Sequence, residues 1–79
     1  MKNYGKALKE LRKKSNMTQS KLAETLNVTY QTVSKWENNV NTPDITIVET
    51  ICNVFGITVD EFLRVAEVGD TPDNAENSA

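Results

Sequence analysis

The 79-residue chain contains no histidine and a single cysteine, Cys52. Without histidine, the side chain that most readily exchanges protons near neutral pH is missing, and the His/Cys clusters of a zinc site cannot be assembled. One cysteine has no partner for an internal disulfide. There is no glycine-rich phosphate loop and no carboxylate pair expected to converge in a pocket, so the sequence gives no footing for catalysis, a metal or a cofactor. No run of eighteen apolar residues and no charged-then-apolar N-terminus is present, which argues against a membrane span or a signal peptide. The expectation is a cytoplasmic protein of one small domain with one core.

The charge is unevenly placed. Overall it is −2, but residues 1–41 carry eight Lys and Arg against three Glu, a net of +5. Residues 42–79 carry only Arg64 against eight acidic residues, a net of −7. Nucleic-acid binders displace phosphate counterions with a basic face, and a near-neutral average conceals one here.

Apolar spacing predicts an all-α chain of five short helices. Tyr4, Ala7, Leu8 and Leu11 follow the i, i+3, i+4, i+7 pattern of a first helix over about 4–15, with Lys6, Lys9, Lys13 and Lys14 outside. Thr18 is the expected N-cap of a second helix and Asn27 its left-handed exit. Thr29 caps a third, over about 30–38, and Asn39 stands at its exit. Asp44, after Thr42 and Pro43, starts a fourth helix with a core stripe of Ile45, Val48, Ile51, Cys52 and Phe55, ending at Gly56. Cys52 reads most simply as a small buried hydrophobe. Thr58 and Glu61 form a capping box for a fifth helix, which packs through Phe62, Leu63, Val65 and Ala66 and is expected to stop at Gly69. The boundary of the domain is set at residue 69. Residues 70–79 lack large apolar side chains and read as a disordered acidic tail.

The second and third helices are separated only by Asn27, Val28 and Thr29, the spacing of a helix-turn-helix. Val33 and Trp36 recur on the inner side of the third helix. Its wet face then carries Gln31, Thr32, Lys35 and Asn38, with Tyr30 at the tip, and none of these is acidic. All can hydrogen-bond base edges or phosphates. At the start of the second helix, Gln19 lies beside free backbone N–H groups and partial positive charge, a place suited to a phosphate.

The string TQSKLAETLNVTYQTVSKWENN, followed by TPD and GITVDEFL, resembles the Xre-type family of phage-repressor and Cro-like helix-turn-helix DNA-binding domains over about residues 4–66. The resemblance implies a compact five-helix, lambda-repressor-like bundle that binds a double-stranded DNA operator as a homodimer and regulates transcription, most often as a repressor. It implies that Tyr30, Gln31, Thr32 and Lys35 face the major groove, with the Tyr30 ring either reading a base or packing on a sugar or phosphate. Gln19, Asn38, Asn39 and Asn41 are the implied phosphate contacts. Arg12 and Glu37 stand where the family commonly has a structural ion pair. Asn27 and Asn39 depart from it where glycine is usual, a minor cost because asparagine tolerates the left-handed backbone. The end of the fourth helix and the fifth, with Ile57, Val59, Leu63 and Val65, is the expected dimer surface, although core packing explains those residues equally well. The alternative reading is a protein-interaction module, or an antitoxin-like subunit acting through a protein partner. It calls for apolar anchors on the third helix, where polar side chains stand instead.

Overall fold

Asn3 opens the first helix by accepting the Lys6 N–H on its side chain, and the chain then runs through five helices. The computed structural model describes residues 2–67, so the boundary at Gly69 and the tail at 70–79 lie outside the described residues. The helices are α1 (Tyr4–Lys14), α2 (Gln19–Leu26), α3 (Tyr30–Glu37), α4 (Ile45–Phe55) and α5 (Val59–Ala66). Each expected cap is in place. The hydroxyls of Thr18, Thr29 and Thr58 and the carboxylate of Asp44 each accept the backbone N–H three residues on, and Glu61 closes the capping box on Thr58. Such bonds satisfy donors that no helix can pair internally.

Exits from the helices are left-handed at Asn27 (φ 61°), at Gly56 (φ 69°) and, after α3, at Asn39 (φ 59°). Asn16, at φ 59°, adds a further left-handed turn between α1 and α2, beyond those expected at Asn27 and Asn39. The helix ends fall one residue earlier than expected for α1 and α3, because Ser15 and Asn38 serve as caps.

The core is built from all five helices, with Leu8, Leu22, Val33, Ile51, Cys52 and Phe62 almost fully enclosed. Helix α1 packs against both α3 and α5, α2 against α3, and α4 lies over α5 and α2. The rings of Tyr4 and Phe62 stack 6.2 Å apart. Cys52 is the buried hydrophobe expected; burial, with the nearby charges of Glu49 and Glu61, pushes its thiol pKa up. Ile45 departs from the expected stripe at 63% exposure. It is the first residue of α4, and helical side chains lean toward the N-terminus, which sets Ile45 beside Thr42 and Pro43 at the surface.

The two ends of the described chain meet. Asn3 N–H donates to the Ala66 carbonyl at 2.7 Å, and Lys2 pairs with Glu67 both across a short antiparallel bridge and through its ammonium.

Candidate nucleic-acid interface

Helix α3 is held from beneath by Val33 and Trp36, both buried, which fixes its opposite face outward. Tyr30, Gln31, Lys35 and Asn38 are exposed and Thr32 is half-buried. Gln31 and Lys35 are one helical turn apart on the same side, so their polar ends project together. The Thr32 hydroxyl lies 2.9 Å from that of Thr29, inside the cap, which leaves its methyl as the group free for contact.

The buried end of α3 is anchored by charge. Arg12 Nε donates to Glu37 Oε2 at 2.6 Å and Nη2 to Oε1 at 3.2 Å, with the two side chains 11% and 2% exposed. Arg12 Nη1 also donates to the Met17 carbonyl at 2.7 Å, so one guanidinium ties α1 to the end of α3 and to the loop before α2. Gln19 joins this group: its Nε2 donates to Glu37 Oε1 at 3.0 Å, with its second amide hydrogen still available. Sequence position puts Gln19 at the α2 N-terminus, but its bond to Glu37 depends on how α2 and α3 pack and leaves no trace in the local pattern.

The three asparagines near the end of α3 are used differently. Asn38 folds back, donating to the Ser34 carbonyl at 2.9 Å and the Ser34 hydroxyl at 3.3 Å. Asn39 turns inward, accepting Gly5 N–H at 3.2 Å and donating to Asn3 Oδ1 at 2.9 Å. Asn41 is exposed in the loop that follows, where its backbone N–H bonds to the Lys35 carbonyl at 3.4 Å. Gly5 is a residue the sequence reading missed: a Cβ there would lie 2.5 Å from the Trp36 carbonyl oxygen and 2.6 Å from that of Glu37. Its lack of a side chain is what lets α1 approach the end of α3. Among the described residues no cluster of His, Cys, Asp and Glu is placed to hold a metal ion, and no helix is long and apolar enough to cross a membrane.

A buried two-helix unit with a polar face on its second helix is the geometry shared by helix-turn-helix proteins, and the helix-turn-helix family model matches residues 8–62. The chain belongs to the Xre-type helix-turn-helix family of DNA-binding domains. It is 35% identical over 65 residues to the HTH-type transcriptional activator BcrR of Enterococcus faecalis, covering 82% of this chain and 32% of BcrR. It is 34% identical over 66 residues to the HTH-type transcriptional regulator ImmR of Bacillus subtilis, covering 84% of this chain and 52% of ImmR. The chain thus spans a third to a half of these relatives, both named as regulators of transcription rather than enzymes. The structure of SinR, a master regulator for biofilm formation, in complex with DNA superposes with a TM-score of 0.69 at 31% identity, covering 76% of this chain and 97% of that one. SinR shares with this chain the lambda-repressor-like bundle, in which α3 is the second helix of the helix-turn-helix.

Proposed function

We propose that this chain binds double-stranded DNA sequence-specifically and regulates transcription, acting as a repressor where its operator overlaps a promoter. The observation that carries the reading is the face of α3: Tyr30, Gln31 and Lys35 are exposed, with Asn38 exposed at the C-cap, while Val33 and Trp36 hold the helix down. Gln31 pairs bidentately with adenine or offers its amide to guanine, Lys35 donates to guanine O6 and N7, and the Thr32 methyl packs on thymine. Each such contact contributes about 1–3 kcal/mol of discrimination. Tyr30 extends the contact at the helix tip. Gln19, its remaining amide hydrogen beside the free N–H groups of α2, holds a phosphate on one flank. Asn41 and the backbone around Asn38 and Asn39 do so on the other.

Eight residues of α3 span about 12 Å and cover only a few base pairs, so affinity calls for two copies on half-sites about 34 Å apart. A homodimer on a near-palindromic operator is the assembly this reading calls for. Ile57, Val59, Leu63 and Val65 are half-buried, packed against the core while keeping apolar surface outward for that contact.

Amide chemical-shift mapping on adding an operator duplex tests the interface. The reading expects the largest shifts at residues 19–20, 30–35 and 38–41. Shifts confined to α4 and α5 would overturn it.

A further inference from the structure

We propose that Lys9 and Lys13 form a second contact with the DNA backbone, outside the half-site read by α3. The inference rests on the DNA-binding reading above and extends it to a surface that the helix-turn-helix unit does not include.

Lys6, Lys9 and Lys13 line an open groove of about 450 Å³, whose other wall is formed by Glu37 and Asn39 at the end of α3. Two carboxylates also border it, and both are already neutralised. Glu10 pairs with Lys6 at 2.8 Å, and Glu37 is taken by Arg12. Lys9 and Lys13, both exposed, have no carboxylate within 4.0 Å among the described residues, so the groove keeps an uncompensated charge of two. They lie on one side of α1, four residues and about 6 Å apart along the axis, a separation comparable to that of successive phosphates on one strand. The wall opposite the lysines is Glu37, the last residue of α3, with Asn39 just beyond it, so in this proposal the backbone of a duplex seated on α3 continues past that end of the helix to Lys9 and Lys13. Their role is electrostatic and carries no sequence information.

The test compares wild type with a Lys9→Gln, Lys13→Gln double variant by fluorescence anisotropy across a salt series. The probe is the duplex that wild type selects from a random pool, either flush with the half-sites or extended by one helical turn at each end. Each phosphate neutralised contributes about 0.9 to the slope of log K against log salt. On the extended duplex the variant's slope is expected to fall by about 2, with base preference unchanged and circular dichroism confirming the fold. On the flush duplex the two slopes should agree. Lys14→Gln removes a charge on the same helix outside the groove and should leave the slope unaltered. Equal slopes for wild type and the double variant on the extended duplex, with wild type still binding specifically, would overturn this contact and leave the DNA-binding reading standing. A fall of about 0.9 from Lys14→Gln, the same per charge as in the double variant, would reduce the effect to net charge and overturn it too. A folded wild type that retains no duplex at all would overturn both.

Discussion

The α-carbon of Gly5 lies against the carbonyl of Trp36, so closely that a Cβ would stand 2.5 Å from the oxygen. Both nearest atoms are backbone, which cannot swing aside as a flexible side chain can. Gly5→Ala gains some helix propensity but must push α1 away from the end of α3, and overpacking of this kind costs about 1–3 kcal/mol. Urea unfolding should show a lower midpoint for the variant. A midpoint equal to or above wild type contradicts the close approach.

Asn27 and Asn39 share a left-handed backbone but differ in what their side chains do. Asn27 is exposed at the turn between α2 and α3, so Asn27→Gly should leave stability within about 0.5 kcal/mol. Asn39 bonds to Gly5 and Asn3, and each bond contributes about 0.5–1.5 kcal/mol net. Asn39→Gly should therefore lower stability by about 1–2 kcal/mol. Thermal melts that rank the two variants the other way would refute the assignment.

Arg12→Ala should destabilise the fold itself by about 3–5 kcal/mol, because Glu37 would be left as a buried charge without its partner. Removing Glu37 as well should cost less than the sum of the two single changes, since the groups act as a pair. A wild-type melting temperature for Arg12→Ala, or strict additivity in the double variant, is inconsistent with the ion pair described.

Glu67 has a pKa lowered chiefly by its hydrogen bond from Lys2, and its charged form is therefore favoured in the folded state. The associated stability is present above the unfolded-state pKa of the carboxyl and is lost as pH falls through the lower folded value. Denaturation of wild type and Glu67→Gln over a pH series should show a small gap near neutrality that closes on acidification below the ordinary glutamate range. A gap that widens toward acid pH has the wrong sign.

Most of the helix boundaries were legible because they depend on neighbours in sequence. Thr18, Thr29, Asp44 and Thr58 each reach a backbone N–H three residues away, a distance that a sequence pattern encodes. The outward face of α3 was legible for the same reason, through the spacing of Val33 and Trp36. What escaped depends on how the helices meet: Gly5 under Trp36, Asn39 bonded across 34 positions to Gly5, and the end-to-end pairing of Lys2 with Glu67. Ile45 escaped for a local reason, since apolar periodicity does not register that a first-turn side chain leans out over the preceding loop.

The central claim, that α3 reads DNA, is tested most directly by selecting bound duplexes from a random pool with purified wild type beside a Gln31→Ala, Lys35→Ala variant at moderate salt. The account predicts an enriched inverted repeat for wild type and its loss in a variant that remains folded. Wild type enriching no sequence, or the variant enriching the same repeat as strongly, would contradict it.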